Sequence, residues 1–159
     1  MRGRVGGAGA SRVVDAAMRF LHTMLRVRDL DAALAFWCAA LGFVETRRSV
    51  VEAGRFTLVF LRAPADGPGG AEIELTYNWD QADAYDGGRN FGHVAVAVDD
   101  IYAACARLQD HGVTILRPPR DGRMAFVRSP DAQSVELLQR GGALAPAEPW
   151  LSMGNTGTW

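Results

Sequence analysis

Residues 71–79 read Ala-Glu-Ile-Glu-Leu-Thr-Tyr-Asn-Trp, a stretch in which apolar and polar side chains alternate. Because successive side chains of a β-strand point to opposite faces, a strand here turns Ile73 and Leu75 to one side. The carboxylates Glu72 and Glu74 then share the other side. Such a face is typical of an edge strand exposed to water, but it also suits a site that uses the carboxylates. Three other stretches bear on that choice.

These stretches are strand-like runs that each hold a polar residue among mostly apolar neighbours. They are residues 21–27 with His22, residues 91–98 with His93 and residues 134–138 with Glu136. A single histidine in an apolar strand is more often a satisfied core residue than a metal ligand. Two histidines and two glutamates are harder to explain in that way, because a buried charge is costly unless it is paired or bound to metal. The candidate site residues are therefore His22, Glu74, His93 and Glu136.

The chain of 159 residues is 48% hydrophobic and 22% charged, with a net charge of −1, as is ordinary for a soluble globular protein. It has no basic excess for nucleic acid and no apolar run near the roughly 20 residues of a membrane span, so we expect neither partner. The two cysteines lack a C-x-x-C pattern and suit a core, which favours a cytoplasmic location. Residues 1–17 carry a single acid, and we expect either that residues 1–19 form a disordered extension or that the natural start is Met18.

An internal repeat organises the chain, because an offset of 71 residues takes His22 to His93 and Asp29 to Asp100. In each copy a strand is followed by apolar positions spaced i, i+3, i+4 and i+7, the pattern of an amphipathic helix. The aspartates suit the helix N-terminus, where a carboxylate can accept from free backbone amides. A glycine follows each predicted helix and suits its end. We therefore expect two copies of one strand–helix unit.

Three strand-like runs follow each predicted helix, so each copy reads βαβββ. The runs are residues 43–50, 56–63 and 71–79 in the first copy and residues 113–117, 123–128 and 133–139 in the second. We predict an α+β fold made of two tandem βαβββ modules with curved mixed sheets. The modules are residues 20–79 and 91–140, joined by a linker at 80–90 and followed by a tail at 141–159. The tail has no periodicity and could either clasp a partner or be disordered.

The two histidines and two glutamates form a mixed nitrogen and oxygen set, which suits an octahedral divalent ion. A glutamate beside such an ion can also act as a general base. Arg26 lies four residues beyond His22 on the same face. Asn78 likewise lies four residues beyond Glu74, and each distance is roughly 13 Å at about 3.3 Å per residue. A metal at one end and carboxylate recognition at the other predict a long, anionic substrate.

Five segments together resemble glyoxalase I (lactoylglutathione lyase), a family of the vicinal oxygen chelate superfamily. They are residues 21–27, 73–79, 91–98, 124–127 and 135–138. The resemblance implies the glyoxalase, bleomycin-resistance and dioxygenase fold. It also implies methylglyoxal detoxification, by isomerisation of the hemithioacetal of methylglyoxal and glutathione to S-D-lactoylglutathione. The implied assembly is a homodimer whose active sites combine the first module of one subunit with the second module of the other.

The resemblance also implies roles for individual residues. The expected metal ligands are His22, Glu74, His93 and Glu136. Glu136 is the expected catalytic base, and Glu74 is expected to act on the opposite face of the substrate. Expected substrate contacts are Arg26 and Asn78 at the γ-glutamyl end of glutathione, Arg89, and Arg123 and Met124 near its glycine end. A solvated surface position explains Arg89 and Arg123 equally well.

The expected cofactor is one divalent metal per active site, with Ni²⁺ or Co²⁺ favoured and Zn²⁺ as the alternative. The short linker at 80–90 resembles that of compact members activated by Ni²⁺ or Co²⁺. His22 stands where many Zn²⁺-active members have glutamine. One turn departs from the family, because Ser-Pro-Asp-Ala at 129–132 replaces Asp-Pro-Asp-Gly. It lacks the glycine that favours positive φ, so we expect this turn to be made differently.

Two other classes of protein use the same scaffold. An extradiol dioxygenase holds iron with two histidines and one carboxylate, and a bleomycin-resistance-type protein sequesters its ligand without a metal. The second carboxylate, together with Arg26 and Asn78, argues against the dioxygenase. The four intact ligands argue against the sequestering protein.

Overall fold

The computed structural model describes residues 18–159, which form two mixed β-sheets, two longer helical segments and two short 3₁₀ helices (Glu52–Gly54 and Pro64–Asp66). The first sheet contains β1 (His22–Val27), β2 (Val44–Val51), β3 (Phe56–Arg62) and β4 (Glu72–Asn78), in the spatial order β1-β4-β3-β2. The second contains β5 (His93–Val98), β6 (Met124–Arg128) and β7 (Ser134–Gln139), in the order β5-β7-β6. β1 pairs in parallel with β4, as β5 does with β7, and the other neighbours are antiparallel. The predicted α+β fold with mixed sheets is confirmed.

A helical segment follows the first strand of each sheet. These segments are α1 (Leu30–Leu34), which continues as a π-helical stretch (Ala35–Ala40), and α2 (Ile101–Asp110). The Asp29 carboxylate accepts from an amide in the first turn of α1 at 3.0 Å, and Asp100 does the same for α2 at 2.9 Å and 3.0 Å. Gly42 and Gly112 follow the two segments with φ of +88° and +75°, a left-handed conformation that glycine adopts without steric cost. The repeated caps predicted from the sequence are therefore present in both copies.

The predicted strand at residues 113–117 is wrong. Among the described residues, this segment forms only an isolated bridge between Arg117 and Phe126, so the second sheet has three strands instead of four. Pro118 and Pro119 follow directly. A proline has no N–H with which to extend a ladder of hydrogen bonds. The second module therefore reads βαββ.

One hydrophobic core joins the two sheets and the helices. Ile73 and Leu75 are 5% and 0% exposed, as the alternation along β4 predicted. Trp37 from the π-helical stretch and Leu108 from α2 are almost completely buried beside them. Cys105 is buried in the same core, and this burial raises the pKa of its thiol to about 12. Cys105 is thus a small core residue, as predicted, and not a reactive thiol.

The tail at residues 141–159 is ordered by contacts with its own chain. Trp150 is buried in the core, and the Arg120 guanidinium donates to the Asn155 side-chain oxygen at 2.8 Å. The predicted extension at residues 1–19 lies almost entirely outside the described residues, which begin at Met18. No helix within residues 18–159 is long and apolar enough to cross a bilayer.

Candidate active site

The first module brings His22 and Glu74 together. The imidazole Nε2 of His22 lies 3.0 Å from the Glu74 carboxylate, with side-chain exposures of 37% and 13%. Parallel pairing of β1 with β4 sets this contact, because it places Glu74 opposite Met24, which lies two residues beyond His22 on the same face. Phe60 lies opposite Glu74 on β3, and its ring meets the His22 imidazole edge to face at 5.6 Å.

The second module repeats this arrangement. His93 Nε2 lies 3.1 Å from the Glu136 carboxylate, with side-chain exposures of 42% and 14%. Phe126 lies opposite Glu136 on β6, and its ring meets the His93 imidazole edge to face at 5.5 Å. Each sheet therefore carries one histidine, one glutamate and one phenylalanine in the same geometry. The sequence pattern identified the histidines and glutamates, but nothing in it distinguished Phe60 or Phe126 from ordinary core residues.

The donor atoms in each pair fit a divalent cation. A neutral imidazole nitrogen and a carboxylate oxygen are both common ligands of divalent metals, and each pair places them side by side and partly open to solvent. Among residues 18–159, however, no group of three or more His, Cys, Asp or Glu side chains lies close enough to hold a metal. One chain therefore supplies two separate pairs of candidate ligands, and the four predicted ligands do not converge within it.

Glu72 shares the face of Glu74 but is engaged elsewhere. Its carboxylate accepts from the Thr46 hydroxyl at 2.5 Å and forms an ion pair with Arg47. The Thr46 hydrogen bond, opposed by desolvation but supported by the Arg47 charge, holds the pKa of Glu72 below its ordinary value. The Arg47 guanidinium also lies 3.4 Å from the centre of the Phe60 ring. These contacts leave Glu74 as the carboxylate that faces His22.

The predicted γ-glutamyl contacts lie beside a groove of about 310 Å³ whose lining includes Met24, Arg26 and Tyr85. The Asn78 amide donates to the Tyr85 hydroxyl at 3.1 Å. This hydrogen bond connects the linker to the end of β4 in the first sheet. Met24 stands between His22 and Arg26 on β1, so the groove begins next to the first histidine–glutamate pair. Tyr85 is a candidate site residue that sequence reasoning missed, because the linker shows no periodicity.

The other predicted substrate contacts do not line this groove. Arg89 and Arg123 are exposed. The backbone amide of Arg123 donates to the Asp121 carboxylate at 3.0 Å. Met124 begins β6, two residues before Phe126, and therefore shares the face that carries the second histidine–glutamate pair. The roles of Arg89, Arg123 and Met124 remain predictions.

The turn at residues 129–132 packs against the end of β1. Ala132 takes up the left-handed conformation with φ of +64°, although it is not glycine. The expectation that the turn would be made differently is therefore wrong in this respect. The Asp131 carboxylate accepts from the backbone amide of Arg28 at 2.9 Å, and the Gln133 side chain donates to the Arg26 carbonyl at 2.9 Å. The turn of the second module thus supports the strand that carries Arg26.

This fold with two matching pairs of candidate ligands defines the class of protein. The profile of the Glyoxalase/Bleomycin resistance protein/Dioxygenase superfamily matches residues 19–137, and the chain belongs to that superfamily. More narrowly, the lactoylglutathione lyase of Haemophilus influenzae is 42% identical over 127 residues, which are 77% of this chain and 93% of that protein. A probable lactoylglutathione lyase of Synechocystis is also 42% identical over 127 residues, covering 77% of this chain and 95% of that protein.

Two solved structures of glyoxalase I are also similar to this chain. The trypanothione-dependent glyoxalase I of Leishmania major gives a TM-score of 0.69 at 37% identity, over 77% of this chain and 87% of that chain. Glyoxalase I from Zea mays gives a TM-score of 0.70 at 34% identity, over 78% of this chain and 45% of that chain. The family resemblance inferred from the sequence is confirmed.

Proposed function

We propose that this chain is a metal-dependent lactoylglutathione lyase that detoxifies methylglyoxal. It would isomerise the hemithioacetal of methylglyoxal and glutathione to S-D-lactoylglutathione. The observation that carries the proposal is the repeated contact of a histidine with a glutamate, at 3.0 Å in the first sheet and 3.1 Å in the second. The similarity to lactoylglutathione lyases over most of the chain supports the same reaction.

The active enzyme is a homodimer with shared sites. Each chain offers two separate half-sites, and a second copy would place the first pair of one subunit against the second pair of the other. β1 and β5, which carry the histidines, both lie at the edges of their sheets. Large apolar side chains are exposed on or next to these strands, including Leu21 at 69%, Met24 at 43% and Phe91 at 42%. Exposed apolar surface at sheet edges favours association with another chain.

His22 and Glu74 of one subunit, with His93 and Glu136 of the other, would hold one divalent metal. When bound, the metal would supply a positive charge that binds and polarises the oxygen atoms of the substrate. Ni²⁺ or Co²⁺ is favoured because two imidazoles and two carboxylates suit a six-coordinate ion with positions left for oxygen ligands. Two free cysteines are consistent with a reducing cytoplasm.

Glu136 is the base that moves the proton. Its carboxylate would remove the hydrogen from the carbon that bears sulfur and return it to the neighbouring carbon. The hydroxyl on the first carbon would give up its proton and become the thioester carbonyl, and the ketone oxygen on the second carbon would take up that proton and become a hydroxyl. Atoms and electrons balance within the substrate, so the reaction needs no oxidant or reductant. Glu74, held by the Thr76 hydroxyl at 3.2 Å, would act on the opposite face.

Arg26 and Asn78 would bind the γ-glutamyl end of glutathione. A guanidinium and a primary amide both donate hydrogen bonds to carboxylates. Arg26 lies four residues beyond His22, and Asn78 lies four residues beyond Glu74, which is roughly 13 Å along each strand. The Tyr85 hydroxyl, which already accepts from Asn78, would fix the direction of that amide. Arg89, Arg123 and Met124 would line the remainder of the glutathione site.

The test is a spectroscopic assay for the thioester. Protein, divalent metal, glutathione and methylglyoxal are mixed, and thioester absorbance in the ultraviolet should rise in proportion to enzyme. A ligand-sequestering protein would bind the conjugate without turnover, and a dioxygenase would consume dioxygen with an aromatic diol. The same mixture with the double variant His22→Ala/His93→Ala is the matched control and should give no thioester above the uncatalysed rate. Absence of thioester with fully metallated wild-type protein would contradict the proposal.

A further inference from the structure

The two half-sites differ in what covers their phenylalanine. In the first, the Arg47 guanidinium lies 3.4 Å from the centre of the Phe60 ring. In the second, the indole of Trp159 stacks on Phe126 at 5.8 Å with the planes inclined by 23°. One half-site is therefore bordered by a cation that is paired with Glu72, and the other by a second aromatic ring.

Trp159 is held in this position by the chain that precedes it. The Thr156 amide donates to the Leu116 carbonyl at 2.8 Å, and the Leu116 amide donates to the Phe126 carbonyl at 2.8 Å. The Arg120 guanidinium donates to the Met153 carbonyl, also at 2.8 Å. The tail is thus hydrogen-bonded to the segment that runs beside β6, and this connection brings Trp159 onto Phe126.

The stacked indole lies next to the second pair of candidate ligands. Phe126 contacts His93 edge to face at 5.5 Å and stands opposite Glu136 across β6 and β7. Trp159 covers Phe126 on this same face and is still 41% exposed. Exposed aromatic surface beside polar groups is typical of a small-molecule site, where a flat ring can accept another ring by stacking.

We propose that Trp159 determines specificity for the aldehyde-derived part of the substrate. Glu136 would act on the reacting carbons, and Phe126 lies opposite Glu136 and contacts His93. The substituent on those carbons is therefore close to the aromatic wall formed by Phe126 and Trp159. A methyl group gains little from an exposed indole, whereas an aryl group gains a stacking partner. The site therefore favours conjugates of aryl-substituted 2-oxoaldehydes over those of methylglyoxal. This inference rests on the proposed function, because it assumes a glutathione conjugate in the site.

Binding of two unreactive conjugates tests the inference without turnover. S-benzylglutathione and S-methylglutathione share every glutathione contact and differ in the aryl group, and calorimetry on metal-loaded protein gives both dissociation constants. Wild type should bind the benzyl conjugate more tightly. In Trp159→Ala the ratio of the two dissociation constants, which measures this preference, should fall by about 2- to 12-fold. Trp159→Phe should retain most of it. Leu151→Ala, which removes another exposed apolar side chain of the tail, should leave the preference unchanged.

The outcomes separate this inference from the proposed function. If wild type binds neither conjugate, the proposed function fails and the inference fails with it. If wild type binds both and Trp159→Ala keeps the full preference for benzyl, only the role of Trp159 is overturned. Equal weakening of both conjugates would show a merely structural role and would also overturn it. Quenching of tryptophan fluorescence by S-(4-nitrobenzyl)glutathione, smaller in Trp159→Phe than in wild type, is the expected second readout.

Discussion

His22 and Glu74 are 52 positions apart in the chain, yet the imidazole nitrogen lies 3.0 Å from the carboxylate. Parallel pairing of β1 with β4 produces this contact, since the first and last strands of the module become neighbours. His93 and Glu136 meet at 3.1 Å through the same parallel pairing of β5 with β7. A duplicated topology has thus produced two matching histidine–glutamate pairs, and most of the expected behaviour of the protein depends on whether these pairs combine.

Complementation tests whether the half-sites combine across subunits. The double variants His22→Ala/Glu74→Gln and His93→Ala/Glu136→Gln should each be inactive, because every site lacks one pair. In a shared-site dimer, mixing them with subunit exchange should restore activity, since one site of each mixed dimer receives both intact pairs. The recovered activity should approach a quarter of wild type, because half of the dimers are mixed in a random exchange and each has one intact site. Activity should return only when the subunits exchange. If dimers shown to contain one subunit of each variant stayed inactive, the sites would not be shared.

The variant Glu136→Gln should keep much of its metal but lose most of its turnover. The amide can still offer an oxygen to the ion, but it cannot accept a proton from carbon. A general base contributes about 10²- to 10⁴-fold, or about 3 to 5 kcal/mol of barrier. Steady-state kinetics on protein of measured metal content checks this. Glu45→Gln is the matched control, because Glu45 pairs with Arg48 on the surface. Near-normal turnover of metal-loaded Glu136→Gln would remove Glu136 from the role of base.

The variant Arg26→Ala should weaken binding of S-methylglutathione while leaving the metal content unchanged. Loss of one hydrogen bond to a charged group costs about 1.5 to 3 kcal/mol, which corresponds to about 10- to 150-fold in the dissociation constant. Calorimetry measures the affinity, and elemental analysis measures the metal. Arg28→Ala removes an exposed arginine that directly follows the same strand and should have little effect. An equal loss of metal in Arg26→Ala would show that Arg26 supports the fold of the site instead.

Metal-stripped protein should regain its highest turnover with Ni²⁺ or Co²⁺ and little with Zn²⁺. Ni²⁺ and Co²⁺ hold six ligands readily, whereas Zn²⁺ has no geometric preference from its d-electrons and is commonly four-coordinate. Activity after addition of each ion is the measurement, with bound metal quantified so that occupancy is equal. The highest turnover with Zn²⁺ would contradict the prediction.

Glu72 should make stability depend on pH in the acidic range. Its pKa is lowered in the folded protein from an ordinary value of 4.5, first by the Thr46 hydrogen bond. A carboxyl group whose pKa is lowered by folding contributes its full stabilisation when the pH is above its pKa in the unfolded chain. This stabilisation is lost as the pH falls through its pKa in the folded protein. Glu72→Gln should therefore cost about 1 to 2 kcal/mol of unfolding free energy at pH 7 and progressively less below about pH 4.5.

Urea unfolding of both proteins across this pH range measures the difference. Glu45→Gln is again a useful control, because its partner Arg48 is exposed and surface pairs contribute about 0 to 1 kcal/mol. A cost for Glu72→Gln that stayed constant down to pH 3 would show that the charge of Glu72 is not the source of the stabilisation.

The sequence alone determined which residues stand on which face. Alternation along residues 71–79 separated Ile73 and Leu75 from the carboxylates, and the offset of 71 residues paired His22 with His93. The aspartate caps and the four candidate ligands followed from the same local patterns. These features are set by neighbours in the chain, because the strand period of two and the helix period of 3.6 depend on backbone geometry.

Only the tertiary structure decided which residues meet across strands. Glu72 and Glu74 lie on the same face of β4. The register of β4 with its neighbours nevertheless places Glu72 in contact with Arg47 and Glu74 in contact with His22. Stacking of Trp159 on Phe126 likewise joins segments that share no local pattern. Sequence periodicity fixes the direction of a side chain, whereas its partner depends on strand order, register and the path of loops, which come from the packing of the whole core.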